Sequence, residues 1–234
     1  MNLDFGFTAD DWTAMALSLR VATVAVVMSL PFGIAVAYLL SRKEFYGKTL
    51  VNALVHLPLV MPPVVTGYLL LLTFGRRGTV GMLLDHWFGL VLSFRWTGAA
   101  LAAAVMGFPL MVRSIRLSLD NVDLKLEAAA STLGASRPQV FLSVTLPLIL
   151  PGIAAGVMVA FAKALGEFGA TITFVSNIPG ETQTLASAIY TYLQVPGGEL
   201  AASRLTAVSI VISIGALVAS EALGRRLQAR AGGQ

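Results

Sequence analysis

The chain has no cysteine, only two histidines, and few charges. Without cysteine, disulfide scaffolds, thiolate metal sites and cysteine nucleophiles are excluded. His56 has no second histidine near it in sequence, so it reads as a packed polar residue on an apolar segment and no metal site is expected. Asp, Glu, Lys and Arg make up 12% of the 234 residues, about half the usual quarter. No G-x-x-x-x-G-K-[ST] run occurs, so phosphates have no backbone cradle in this chain. No internal repeat is visible and charges inside apolar runs are few, which disfavours a secondary anion transporter or channel working alone. Nor do titratable groups cluster at one interface as a membrane enzyme would require.

What is abundant is apolar. The AVILMFWYC set accounts for 56% of residues, against about 45–50% for a soluble domain even with glycine counted. A globule of this size cannot hide that surface behind so few charges, so the chain is expected to be an all-α integral membrane protein. Crossing about 30 Å of hydrocarbon takes about 20 mostly apolar residues. Five runs qualify, at about 12–40, 50–74, 96–112, 144–165 and 205–223. The stretch 79–94 holds Asp85 and His86 in its middle and is read as interfacial or re-entrant, as is a second short element at 182–193. The first run is longer than a signal-peptide core and follows Asp4, Asp10 and Asp11, where a signal would be basic.

The net charge of +4 sits in short clusters between the runs, which is a topology pattern and not a nucleic-acid surface. Arg42, Lys43, Lys48, Arg113, Arg116, Lys125, Arg137, Arg225, Arg226 and Arg230 fall on one side. Arg76, Arg77, Arg95 and Arg204 fall on the other. Basic loops stay in the cytoplasm, so the N-terminus is expected to be periplasmic and the C-terminus cytoplasmic. Residues 12–224 then form one transmembrane domain and 225–234 a short basic tail, glycine-ended and expected to be disordered after Arg226. Lys163–Glu167 and Glu221–Arg225 have the i, i+4 spacing of ion pairs on one helical face.

The most informative stretch is the loop 120–142. Asp123 is placed to cap a helix beginning at Leu124, and Leu126, Ala129, Ala130 and Leu133 recur at helical spacing. Gly134 can stop that helix in a left-handed conformation. Ser136-Arg137-Pro138-Gln139 reads as a capping box with proline in the first turn. A helix, a glycine corner and a second helix leading to Thr145-Leu146-Pro147 make an elbow. Its small alanines suit close docking on another protein, or reflect only that alanine forms helices well.

Glu127-Ala128-Ala129, then Gly134, then Leu146-Pro147 resemble the EAA loop of the permease subunits of bacterial ATP-driven importers. The resemblance extends from Trp12 onward. His56-Leu57-Pro58-Leu59-Val60-Met61-Pro62-Pro63-Val64-Val65, Phe74-Gly75-Arg76-Arg77-Gly78, Gly166-Glu167-Phe168-Gly169-Ala170-Thr171 and Asn177-Ile178-Pro179-Gly180-Glu181-Thr182 are similar to the molybdate importer permeases. Sulfate and thiosulfate permeases share the Gly-Glu-Phe-Gly and Gly-Glu-Thr elements, and tungstate has the same charge and shape as molybdate. Some members of the family carry an extra N-terminal span, which this chain is expected to lack.

The resemblance implies a type I ABC importer transmembrane-domain fold with about five transmembrane helices and cytoplasmic coupling helices, in the inner membrane. It implies a second copy of the chain, two cytoplasmic ABC ATPase subunits, a periplasmic molybdate-binding protein and surrounding lipid as partners. ATP and Mg would be used by the ATPase, with no cofactor in this chain. Alternating access would be driven through Glu127, Ala128, Ala129 and Gly134. Two readings of Glu127 stand: pairing with a basic residue on the ATPase, or solubilising an exposed face.

An oxyanion in hydrocarbon must be met by N–H groups, hydroxyls or positive charge. Gly169, Thr171, Thr173, Ser176 and Asn177 supply such groups after span four, close to Glu167. Pro62 and Pro63, with Pro58, would break span two and free backbone groups beside a pathway. Tight helix packing is the competing explanation for the glycines and threonines.

Overall fold

The computed structural model describes the backbone of residues 6–231 and the side chains of all but the distal part of the last helix. Its elements are helical: α1 Ala9–Arg42, α2 Lys48–Val60, α3 Pro63–Phe74, α4 Thr79–Phe88, α5 Trp96–Asp120, α6 Leu124–Thr132, α7 Arg137–Val140, α8 Leu146–Leu165, α9 Gly169–Val175, α10 Leu185–Leu193 and α11 Glu199–Ala231. A five-residue π turn, Phe141–Thr145, joins α7 to α8. Among the described residues, four helices are long and apolar enough to cross a membrane, and the bent pair α2–α3 supplies a fifth span if the two count as one.

α5 is the axis of the bundle, packed against α1 on one side and α8 on the other. Its small residues allow this. Ala99, Ala102 and Ala103 are buried with Val21, Ala22 and Ala25 of α1 and Ala170 and Phe174 of α9. Further along, Met111, Val112, Ile115 and Leu119 bury against Ala37 and Leu40 of α1 and Ile149 and Ile153 of α8. At Gly156 a Cβ would lie 3.0 Å from the carbonyl oxygen of Met111, so α8 approaches the α5 backbone closely. A third cluster joins Ala14 and Met15 of α1 to Leu185 and Ala188 of α10 and Leu205 of α11.

Span two departs most from a simple crossing. α2 and α3 are bent by 115° at Met61-Pro62. A residue preceding proline is pushed out of the helical region, and here two prolines follow one another. Met61 and Pro62 accordingly take ψ values of 146° and 133°. Pro58 lies within α2 without ending it. At 13 and 12 residues, each half extends only about 20 Å, short of the roughly 30 Å hydrocarbon thickness.

Other boundaries move for local reasons. α1 begins at Ala9 because Thr8 and Asp11 form a capping box, Thr8 N–H donating to Asp11 at 2.8 Å. Span three continues past Val112 to Asp120, so Arg113 and Arg116 belong to the helix end instead of the loop. α4 and α10, the two elements expected to be interfacial or re-entrant, have 10 and 9 residues. Such lengths cannot span a bilayer. Span four ends at Leu165, and Gly169–Val175 forms a separate helix. The tail is a correction: the backbone of α11 stays helical through Ala231, where disorder was expected after Arg226. Leucine, glutamine, arginine and alanine there are all strong helix formers. Glu221 and Arg225 lie outside the residues whose side chains are described.

Candidate functional site

The elbow forms as its residues dictate. Asp123 accepts the N–H of Lys125 at 2.9 Å and caps α6. At the other end Gly134 has φ +89°. The N–H of Ala135 donates to Ala130 C=O and that of Gly134 to Ser131 C=O. This is the Schellman pair that satisfies the last carbonyls of a helix. Ser136 then caps α7, its N–H donating to Gln139 Oε1 at 2.7 Å. The second helix of the elbow is not detached from span four: 137–165 is continuous through the π turn. Pro147 has no N–H to offer Ser143, and Leu146 N–H reaches back five residues to Phe141 C=O.

Within the chain Glu127 has partners that neither expectation named. Its carboxylate turns into the chain, 2.9 Å from Arg42 Nη2 at the end of α1, and accepts the hydroxyl of Thr145 at 2.9 Å. The Arg42 and Glu127 side chains are 12% and 20% exposed, and Thr145 in the π turn is buried. Three elements (α1, α6 and the π turn) therefore meet at one carboxylate. Ala128 and Ala129 face solvent. Leu133 at the corner is 89% exposed, and Leu124 and Leu126 are also exposed. These leucines and alanines are left uncovered by the rest of the described chain, whereas Val122 and Val140 of the same elbow are buried. Arg42 and Thr145 were not legible as partners of Glu127, since they lie 85 and 18 positions away.

The two stretches assigned to the anion path do come together. α3 packs on α9: a Cβ on Gly169 would lie 2.8 Å from Pro63, and one on Gly67 2.5 Å from the Ala170 carbonyl oxygen and 2.9 Å from Thr173. Gly67 was missed in the sequence, and it permits this contact. Pro62 is the N-cap of α3. Many of the polar groups here are engaged internally. Glu167 is buried, paired with Lys163 at 2.8 Å, and accepts Ala170 N–H at 2.9 Å, so it caps α9. Thr171 and Thr173 donate to Phe168 and Gly169 carbonyls. Ser176 has φ +65° just after α9. Asn177 donates to Thr191, while its buried Oδ1 has no hydrogen-bond partner. His56 bonds through Nδ1 to Asn52 C=O in its own helix at 2.8 Å. On the opposite side of the bundle from the elbow, Arg20 stacks 3.8 Å over the Trp96 ring.

Comparison with known proteins agrees with this architecture. Residues 29–229 match the family model described as binding-protein-dependent transport system inner membrane component. The chain is 59% identical over 225 residues to the molybdenum transport system permease protein ModB of Escherichia coli K12, covering 96% of this chain and 98% of that one. It is 56% identical over 220 residues to ModB of Haemophilus influenzae, with coverage of 94% and 96%. The sulfate transport system permease protein CysT of Salmonella typhimurium is 35% identical over 217 residues, covering 92% of this chain and 78% of that one. A solved bacterial alginate ABC transporter superposes with TM-score 0.75 at 18% identity, covering 95% of this chain and 81% of that one. The inward-facing MetNI methionine ABC transporter gives TM-score 0.67 at 15% identity, with coverage of 93% and 94%. The chain therefore belongs to the family of binding-protein-dependent transport system inner membrane components, as a ModB-like multi-pass permease with the type I ABC importer transmembrane fold.

Proposed function

We propose that the chain is half of the membrane pathway of an ATP-driven molybdate importer, and that its elbow receives the motion of a separate cytoplasmic ATPase. The observation that carries this is the elbow itself: apolar and small residues uncovered at its surface, with an inward carboxylate tying it to α1 and the π turn before α8. A protrusion coupled to two long helices can convert a push at Leu133 and Ala129 into tilting of the bundle. Two copies of the chain complete a two-fold path, two ATPases supply the energy, and a periplasmic binding protein delivers the anion. The ATPase uses ATP and Mg, and this chain holds no cofactor. Each state of the alternating cycle must be stabilised differently by ATP and by the loaded carrier, or the equilibrium does not shift.

Molybdate is preferred as cargo because the two relatives at 59% and 56% identity are molybdenum permeases, against 35% for the sulfate permease. On this reading Glu127 acts by holding the elbow, while Ala128, Ala129 and Gly134 shape the docking surface. The anion passes near the junction of Pro62 and Pro63 with Gly169, where Thr171, Thr173, Ser176 and Asn177 cluster around the Glu167-capped helix. The test is uptake of radiolabelled molybdate and sulfate by cells with and without the chain, together with isolation of the tagged chain. Molybdate uptake should depend on it and an ATPase should co-purify. Uptake of sulfate alone would reassign the cargo, and isolation without any nucleotide hydrolase would overturn the coupling.

A further inference from the structure

At the end of the bundle that carries the elbow, α2 and α5 flank an open pocket of about 370 Å³ lined by Asn52, His56, Arg113, Arg116, Leu117 and Asp120. Its charges do not balance. Two guanidinium groups face one carboxylate, and that carboxylate is already engaged: Ser41 donates to Asp120 Oδ1, and Arg116 Nε lies 3.7 Å from Oδ2. Arg116 is held in place by a second contact, Nη1 donating to Asn52 Oδ1 at 3.0 Å. That bond orients the Asn52 amide and leaves its NH₂ free to donate. Arg113, one helical turn before Arg116, is exposed and makes no hydrogen bond or ion pair among the described residues. Exposed and unpaired, its guanidinium is available to an anion that enters the pocket.

We propose that this pocket is a binding site for a tetrahedral oxyanion, held by the guanidinium groups of Arg113 and Arg116 and the amide of Asn52. Guanidinium forks match oxyanion geometry in a bidentate manner, and the volume holds such an anion with part of its water, one water taking about 30 Å³. The location gives the site a role. His56 in the pocket wall lies on α2, six residues before Pro62, or about 9 Å along the helix from the bend. The anion would therefore rest here after passing the junction of α3 with α9, before release on the elbow side. That the occupant is the cargo rests on the proposed function; that the pocket takes a tetrahedral oxyanion does not. The phosphate of an anionic lipid headgroup has the same chemistry.

The experiment measures equilibrium binding of radiolabelled molybdate, with sulfate and orthophosphate as competitors, to the permease complex isolated from its membrane without the binding protein. Co-isolated anionic lipid is quantified by mass spectrometry. Arg113→Gln should weaken oxyanion binding about tenfold or more, as loss of a charge-assisted hydrogen bond predicts, and Arg113→Lys should recover part of it. Lys43→Gln, the same charge change at an exposed position outside the pocket, should alter binding less than about twofold. Anionic lipid retained by the wild type and lost in Arg113→Gln would keep the site and assign its occupant as a headgroup. Equal weakening in both glutamine variants, or no binding and no retained lipid, would overturn the site. Uptake that still depends on the chain in that case leaves the importer reading intact.

Discussion

Removing the Glu127 carboxylate tests whether the elbow is tied to the bundle as the structure has it. In Glu127→Ala, Arg42 keeps a largely buried guanidinium with no counter-charge, and the buried Thr145 hydroxyl loses its acceptor. An exposed ion pair would contribute about 0–1 kcal/mol, whereas stripping one partner from a fully buried pair costs about 3–5 kcal/mol. Exposures of 12% and 20% place this pair between those limits. The orphaned Thr145 hydroxyl adds about 1 kcal/mol, for a total of about 2–3 kcal/mol. Thermal or denaturant unfolding of the purified permease measures the loss. A double-mutant cycle with Arg42→Ala isolates the pair and should return a coupling of about 1–2 kcal/mol. The exchange Arg42→Glu with Glu127→Arg should restore part of the stability and of substrate-stimulated ATPase activity that either single change removes. A coupling below about 0.5 kcal/mol, within the error of independent sites, would refute the anchoring. If the exchange then also failed, Glu127 would be acting toward a partner protein and not within the chain.

Three further outcomes follow from separate features. Gly134→Val places a β-branched residue at φ +89° where a Cβ meets no neighbour, so its cost is backbone strain alone, about 1–3 kcal/mol; the permease should insert normally and lose transport, and normal substrate-stimulated ATPase activity in the reconstituted variant would rule this out. Glu167→Ala strands Lys163 and the Ala170 N–H and should destabilise by about 2–3 kcal/mol, with Glu167→Gln milder because an amide oxygen can still accept from Ala170; an unfolding curve matching wild type for the alanine variant would remove Glu167 from its capping role. Burial, and then the neighbouring Asp11, raises the Tyr192 phenol above its usual 10.0, so the folded state favours its protonated form. Its contribution is complete below pH 10 and fades as pH rises through the raised value; Tyr192→Phe should flatten that alkaline loss while costing about 1 kcal/mol for the bond to Asp11, and an unchanged alkaline profile would contradict it.

Much of the fold was legible because it depends on short-range constraints. Apolar run length located the spans, since bilayer thickness and helical rise leave little choice. The elbow was legible residue by residue: Asp123, Gly134 and the Ser136–Gln139 box each act on backbone groups within a few positions, and each does so in the structure. Pro62 and Pro63 announced a break, because proline restricts the residue before it whatever surrounds the chain. Helix ends were less legible. Arg113 and Arg116 looked like loop residues because charge marks the limit of hydrocarbon, not of helix, and α5 carries on two turns beyond it.

Tertiary structure alone decided which side chains meet. Glu127 finds Arg42 from 85 positions away, and the motif around it gives no hint that the carboxylate points inward. Gly67 acquires its purpose only when α3 folds across α9, and Arg116 only when α2 lies beside α5. Periodicity states which face of a helix is apolar, but not which helix will cover it. That choice depends on how small residues let backbones approach, and the angle of 115° at one proline pair sets where half a span will lie.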